Sequence, residues 1–144
     1  MSRQKIVIAS DHAGFDLKTV LKQSLAEDGY DVLDLGTHGP ESVDYPDFAA
    51  TLAAAIRNGE AERGILICGT GIGISIAANR HPGVRAALCN NSTTARLARQ
   101  HNDANVLALG ARIVGEEIAR DCVAAFLATP FEGGRHCRRV DKLG

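Results

Sequence analysis

A cysteine followed by alternating glycines ends a short apolar run near the middle of the chain. The run covers residues 64–68, and the sequence from Cys68 to Gly73 reads CGTGIG. Alternating glycines let backbone N–H groups converge on an anion, and a helix that begins there adds its positive end. A thiol at such a position can act as a base or a nucleophile. The segment predicts anion binding beside a reactive Cys68. The plain alternative is a tight strand-to-helix turn behind a buried small residue.

Three well-known functions of such loops do not fit this segment. The spacing is not G-x-G-x-x-G, and the next strand is followed by Asn90 and Asn91 rather than by an acid, which disfavours a dinucleotide site. The Lys-Ser/Thr pair of a Walker A loop is missing. A cysteine phosphatase of the C-x5-R type needs arginine at position 74, where this chain has Ile74.

Two other polar segments could take part in chemistry. Asp11 and His12 follow the first apolar run, where His12 could be a cation or donor for an anionic ligand and Asp11 could accept from a hydroxyl. Asp11 could instead only cap the next helix. Histidine is the natural acid–base side chain near neutral pH, and His101 could serve as one if it faces the thiol. A satisfied surface histidine, with Asn102 as the helix cap, is the alternative.

The C-terminal segment 129–144, here called the arm, differs in composition from the rest. It contains Pro130, two glycines and the basic run RHCRR. Arg135 and Arg139 would share one face if the arm is helical, and two guanidinium groups suit a phosphate dianion. Basic tails are more often solvated runs. We expect the arm to lie over another surface.

Apolar runs of strand length alternate with segments of helical period. The predicted strands are 5–10, 31–35, 64–68, 84–89 and 105–109. The predicted helices are 15–28, 45–57, 72–79, 93–101 and 115–127, the last with Ile118, Cys122 and Phe126 on one face. Continuously apolar strands separated by helices indicate a parallel sheet covered on both faces. We expect one α/β domain over residues 1–144, a three-layer sandwich with a doubly wound, Rossmann-like five-stranded sheet. Ligands should bind at the carboxyl ends of its strands.

Composition and charge exclude several classes of function. The formal net charge of −1 provides no global basic field for nucleic acid or an anionic membrane. No apolar stretch approaches the ~18 residues of a membrane span, and no export-type segment follows the N-terminus, so a cytoplasmic protein is expected. The four cysteines form no C-x-x-C pair and should be free thiols. Only His136 and Cys137 are adjacent as potential ligands, so no metal is expected.

Five segments together resemble the ribose-5-phosphate isomerase B family, which is related to the allose- and galactose-6-phosphate isomerases. In chain order they read SDHAGFDLK, DYPDFA, GILICGTGIGISIAANR, RQHNDANVLALGAR and EGGRHCRRV. The resemblance covers nearly the whole chain. It implies the interconversion of aldose and ketose phosphates through an enediolate, without a metal, nucleotide or other cofactor.

The resemblance also implies roles for individual residues. The family uses as its base either a cysteine at the end of the third strand or a glutamate seven positions later, and this chain has Cys68 and Ser75. Cys68 would then move the proton between C1 and C2, Thr70 would orient or activate the thiol, and His101 would open the furanose ring as an acid. The positions that match sugar and oxyanion contacts are Asp11, His12, Tyr45, Gly69, Gly71, Ile72, Gly73 and Asn102. Those that match phosphate-side basic residues are Arg112, Arg135 and Arg139.

Members of the family are homodimers, sometimes dimers of dimers, in which each pocket takes residues from two subunits. The arm would then complete the neighbour's site. Ribose 5-phosphate is the expected substrate, and a six-carbon phosphate, allose or galactose 6-phosphate, is the alternative. From the residues alone, two further readings stay open: a thiol hydrolase or transferase that uses Cys68 and His101, and a non-catalytic sugar-phosphate sensor.

Overall fold

The structure, a computed structural model, describes residues 3–144, and within them five strands and six helices. The strands are β1 Lys5–Ser10, β2 Asp31–Asp34, β3 Arg63–Cys68, β4 Ala86–Leu88 and β5 Val106–Gly110. The helices are α1 Phe15–Glu27, α2 Tyr45–Arg57, α3 Ile72–Ala78, α4 Ser92–Asn102, α5 Glu116–Ala128 and α6 His136–Asp141. All predicted strands and helices are therefore present, and the arm adds a short helix.

All five strands run parallel, in the order β2-β1-β3-β5-β4. The neighbours β1 and β3 are in register from the Ile6–Arg63 pair to the Ser10–Ile67 pair. The chain passes from β1 to β2 on one side and continues to β3 on the other side. A topological switch therefore lies between the carboxyl ends of β1 and β3, which is where open α/β sheets bind ligands. The predicted doubly wound parallel sheet is confirmed.

Helices cover both faces of this sheet. Helices α1, α4 and α5 pack on the face that carries Ile8 and Ile67, whereas α2 and α3 pack on the face that carries Val7 and Leu66. Successive residues of each central strand thus enter different cores, which explains why these strands are apolar without alternation. The predicted three-layer α/β sandwich is confirmed.

Two details of the prediction are wrong. Strand β4 covers only Ala86–Leu88 rather than residues 84–89, and it lies partly exposed at the edge of the sheet with one neighbouring strand. On α5, Cys122 and Phe126 are fully buried, but Ile118 is 43% exposed. Residues eight positions apart on a helix are rotated by about 80°. Of the three residues, Cys122 and Phe126 therefore lie on the buried face of α5, whereas Ile118 lies at its edge.

The arm folds back onto its own chain. The amide of Glu132 donates to the carbonyl of Gln100 at 3.1 Å, and α6 packs against α4. Arg135 has helical backbone angles just before α6, so it lies one turn from Arg139. That the arm also lies at a dimer interface stays a prediction. No helix among residues 3–144 is long and apolar enough to cross a membrane.

A buried lysine anchors the chain where it leaves β2. Lys18 is 1% exposed, and its Nζ lies 2.6 Å from both carboxylate oxygens of Asp34. Asp34 also accepts the Gly36 amide at 2.9 Å and contacts the exposed Lys22 at 3.3 Å. Burial alone would raise the pKa of Asp34, but these hydrogen bonds and the lysine charges hold it below its usual value. The network fixes Gly36, whose carbonyl accepts the Ser10 amide at 2.7 Å.

Lys18→Met should lower the free energy of unfolding by about 3–5 kcal/mol at neutral pH, because it leaves the Asp34 carboxylate without its main partner. Since the pKa of Asp34 is depressed in the folded state, the pair stabilises above the unfolded pKa of about 3.9. Its contribution is lost as the pH falls through the folded pKa, so wild type and variant should converge in acid. Urea denaturation at one protein concentration measures the difference.

The matched control is Lys22→Met, which removes the exposed partner of the same carboxylate. A surface pair of this kind contributes less than about 1 kcal/mol. Equal losses for the two variants would contradict the account of Lys18.

Candidate active site

The loops after β1, β3 and β5 meet at one edge of the sheet, here called the carboxyl edge. The amide of Asp11 donates to the carbonyl of Ile67 at 3.2 Å, which joins the loops after β1 and β3. The amide of Ala111 donates to the carbonyl of Cys68 at 2.9 Å, which joins the ends of β3 and β5. These bonds place three of the predicted site segments side by side.

Cys68 ends β3, and its thiol is held by the glycine loop, residues 69–73. The residue is 4% exposed, and its Sγ accepts the amide N–H of Gly71 at 3.1 Å. Gly71 adopts a φ of 79°, a left-handed conformation that favours glycine. An N–H donor stabilises negative charge on sulfur, so the loop supplies a polar partner for an otherwise buried thiol. All four cysteines are free, as the sequence predicted.

The Thr70 hydroxyl contacts the backbone of α3 rather than the thiol. Its Oγ1 accepts the amide N–H of Ile72 at 3.1 Å and so supports the first turn of that helix. In the described part of the chain Thr70 makes no hydrogen bond to the Cys68 thiol, whose sulfur accepts the Gly71 amide. That Thr70 orients or activates the thiol stays a prediction. The hydroxyl proton of the exposed Thr70 can still be donated to a ligand.

Asp11 and His12 both have structural partners. Oδ1 of the buried Asp11 accepts the Gly14 amide at 3.1 Å, which closes the turn before α1. The N-cap of α1 is Gly14 and no side chain caps the helix, so the capping alternative for Asp11 is wrong. Nδ1 of His12 accepts the Val43 amide at 3.2 Å. Because Nδ1 accepts this hydrogen bond, Nε2 is the ring nitrogen left to donate to a ligand. Of the two expected roles, donor and cation, the geometry fits the donor.

Two long side chains cover the glycine loop. The Arg112 guanidinium Nη1 lies 3.1 Å from the point where a Cβ on Gly69 would stand, and the Tyr45 hydroxyl lies 2.9 Å from the corresponding point on Gly73. The Arg112 amide also donates to the Gly69 carbonyl at 2.9 Å. The small size of both glycines therefore lets a guanidinium and a phenol approach the loop backbone. Such donors can bind an anionic oxygen.

A second group of predicted residues lies where α4 ends against the arm. His101, Asn102 and Arg139 share with His136 a cavity of about 300 Å³. The rings of His101 and His136 stack with their centroids 4.6 Å apart and their planes at 17°. The cap of α4 is Asp103, with a φ of 47°, so the proposed capping role of Asn102 is wrong.

His136 has an unusual environment in this second group. It is buried, and within residues 3–144 its Nε2 has no hydrogen-bond partner. A carboxylate oxygen of Glu132 lies 3.6 Å away, which is too far for a hydrogen bond. Removal from water lowers the pKa of His136, and the neighbouring His101 and Arg135 lower it further. The ring is therefore neutral near pH 7.

The two groups lie at opposite edges of the sheet. Helices that connect parallel strands run back along them, so α4 starts at the carboxyl edge and ends at the other, amino edge. The amide of Gly64, near the start of β3, accordingly donates to the carbonyl of Asn105 just after α4, whereas Cys68 ends β3. Helix α4 has 11 residues and so spans about 16 Å. His101 therefore does not face the thiol within one chain.

Sequence reasoning missed three contacts of these groups. Val43, Glu132 and His136 were given no role, although the last two lie in a segment that carried the family resemblance. The spacing of Glu132 and His136 at i and i+4 was the available signal for their contact. Nothing in the local sequence indicated that His101 would join them, because that contact depends on how the arm packs.

Comparisons with known proteins identify the relatives of this chain. A family model described as Ribose/Galactose Isomerase matches residues 6–143. Ribose-5-phosphate isomerase B of Escherichia coli is 50% identical over 140 residues, which cover 97% of this chain and 94% of that protein.

Solved structures are at least as similar. Ribose-5-phosphate isomerase B from Clostridium thermocellum has a TM-score of 0.97 and 57% identity, and the match covers 98% of this chain and 95% of that chain. The corresponding structure from Thermotoga maritima has a TM-score of 0.97 and 54% identity, with 99% and 98% covered. The chain therefore belongs to the ribose/galactose isomerase family.

Proposed function

We propose that this protein interconverts ribose 5-phosphate and ribulose 5-phosphate by moving a proton between C1 and C2. The observation that carries the proposal is the thiol of Cys68, which lies at the carboxyl edge with the Gly71 amide on its sulfur, in a chain whose relatives are named for this substrate. Abstraction of a proton next to a carbonyl needs a base, a stabilised oxyanion and exclusion of water. The carboxyl edge offers a thiol as the base, guanidinium and amide donors for the oxyanion, and a buried position for the thiol that excludes water.

Cys68 is the base in this proposal. As a thiolate it takes the proton from C2 of the open-chain aldose, and the electron pair moves through C1 onto O1 to give the enediolate. The thiol returns the proton to C1, the proton of the O2 hydroxyl passes to O1, and the carbonyl forms at C2. The Gly71 amide stabilises the thiolate that starts the reaction, and burial keeps water from the intermediate.

The remaining groups of the carboxyl edge bind the sugar. In this proposal Arg112, which lies against the glycine loop at Gly69, and the free amides of the loop stabilise the negative charge that develops on O1. In this proposal His12 donates to the sugar through Nε2, the hydroxyls of Thr70 and Tyr45 also contact it, and Asp11 supports the turn that places His12. These contacts hold the open-chain sugar above the Cys68 thiol in a single orientation.

The acid that opens the furanose ring comes from a second copy of the chain. His101 lies at the amino edge of its own sheet, so a pocket with both groups needs the α4 end and the arm of another copy above Cys68. Asn102, Arg135 and Arg139 accompany His101, and the two arginines supply guanidinium groups for the phosphate dianion. A homodimer with two shared pockets meets this need with one symmetric interface.

Cys68→Ser should lower kcat for ribose 5-phosphate by about 10²–10⁴-fold, the usual contribution of a general base. The assay follows ribulose 5-phosphate formation in the presence of EDTA, with allose 6-phosphate as a second substrate. Cys137→Ser, which removes an exposed thiol, is the control and should retain wild-type kcat. A fully active Cys68→Ser enzyme would exclude the thiol as base. Conversion of allose 6-phosphate alone would assign a six-carbon substrate instead.

Gly73 and Gly71 should respond differently to alanine. A Cβ on Gly73 would stand 2.6 Å from the Tyr45 ring, and Tyr45 is a partly exposed side chain that can move. A Cβ on Gly71 would stand 2.8 Å from the backbone carbon of Leu109, at a φ that already strains any other residue. Gly73→Ala should thus displace the Tyr45 hydroxyl from the glycine loop and lower kcat/KM by about 10-fold or more. Gly71→Ala should lower the Tm.

Steady-state kinetics and thermal unfolding of both variants separate the two effects. Gly73→Ala should unfold within a few degrees of wild type, since only a surface ring must move. Normal kcat/KM for Gly73→Ala, or an unchanged Tm for Gly71→Ala, would contradict the packing described for the loop.

A further inference from the structure

The end of α4 and the arm bring together three potential metal ligands, here called the His–Glu–His cluster. One ligand atom from each of His101, Glu132 and His136 lies within 4.8 Å of the other two. The backbone holds the cluster, because the Glu132 amide donates to the Gln100 carbonyl at 3.1 Å. The stacking of the two imidazole rings holds it as well.

A buried nitrogen of His136 points into this cluster. The residue is 6% exposed, and its Nε2 has no hydrogen-bond partner anywhere in residues 3–144. Buried polar atoms almost always have a partner, so an unpartnered ring nitrogen indicates a place for a further group. Its nearest neighbours are the Glu132 carboxylate, 3.6 Å away, and the His101 ring, and the positive charges of Arg135 and Arg139 also act on it. Because a carboxylate oxygen and an imidazole nitrogen both donate electron pairs, a cation fits between them and the His136 nitrogen, and the negative Glu132 offsets the nearby guanidinium charge.

The donor set identifies the class of cation. Two imidazole nitrogens and one carboxylate oxygen form the ligand set of many zinc sites that keep a fourth position open, whereas Ca²⁺ and Mg²⁺ prefer oxygen ligands. Tetrahedral zinc places its ligand atoms about 3.4 Å apart, so atoms now up to 4.8 Å apart must approach one another. The half-exposed Glu132 and the partly exposed His101 can rotate toward the buried His136, and the stacked rings tilt as they do so.

We propose that the His–Glu–His cluster is an inhibitory site for Zn²⁺. The effect on activity rests on the proposed function, because the ion occupies a ring nitrogen of His101, the group that protonates the sugar ring oxygen. Bound zinc also fixes the arm to α4, next to Arg139. The proposed reaction moves its protons through protein groups alone, so we expect activity in EDTA and loss of that activity when zinc occupies the site.

Calorimetric titration of the EDTA-treated, full-length protein with Zn²⁺ tests the site directly. Wild type should bind one Zn²⁺ per chain and give no comparable heat with Mg²⁺. Since residues that merely orient a ligand are worth about 10–100-fold in metal affinity, Glu132→Gln and His136→Asn should each weaken binding by at least about 10-fold. Glu132 is exposed, so its variant should fold even if that of the buried His136 does not.

Cys137→Ser is the matched control, because this exposed thiol lies beside His136 and could itself bind zinc. It should bind Zn²⁺ like wild type. Loss of binding in Cys137→Ser, or wild-type affinity in Glu132→Gln, would overturn the site.

Inhibition is measured as the activity of each protein relative to its own activity in EDTA. Zn²⁺ should inhibit wild type and Cys137→Ser alike, and Glu132→Gln only at about 10-fold or higher concentration. Saturable zinc binding without isomerase activity in EDTA would support the site and contradict the proposed function. Isomerase activity without saturable zinc binding would overturn the site alone.

Discussion

A parallel sheet keeps the ends of its strands and the ends of its connecting helices apart. In this protein that constraint sends Cys68, the last residue of β3, to the carboxyl edge and His101, near the end of α4, to the amino edge. The two edges are separated by about the length of α4, roughly 16 Å. No side-chain motion within one chain spans that distance. A reaction that uses both groups must therefore use two chains. Under the proposed function, the arm with Arg135 and Arg139 is part of a neighbour's pocket rather than a solvated tail.

The carboxyl edge depends on close approach between backbones. A Cβ on Gly110 would collide with the carbonyl of Thr70, and one on Gly14 would stand 2.6 Å from the carbonyl of Ile67. The loops after β1, β3 and β5 can therefore pack tightly enough for the Gly71 amide to reach the sulfur of Cys68. The Lys18–Asp34 pair secures the neighbouring loop after β2. These contacts hold the Cys68 thiol between closely packed loops.

The sequence was sufficient for the architecture because the central strands are apolar on both faces and the glycine loop begins directly after the last residue of β3. The sequence was less reliable for features that tertiary contacts determine, such as the length of an edge strand, the exposure of a helix residue and the partner of a hydroxyl. Edge strand β4 is shorter than its apolar run, and the first residue of the α5 row, Ile118, lies at the surface. The Thr70 hydroxyl accepts the first-turn amide of α3, and the donor on the thiol is a backbone amide, that of Gly71. The separation of His101 from Cys68 follows from topology, but residue spacing alone gives no sign of it.

The central claim is that one pocket takes its base and its acid from different chains. Inactive Cys68→Ser and His101→Asn proteins, mixed in equal amounts and refolded together, test it directly. Random pairing makes half of the dimers hybrids, each with one intact pocket, so activity should recover to about a quarter of wild type. Native mass spectrometry confirms that hybrids form. Verified hybrids that remain as inactive as the two parents would contradict the claim.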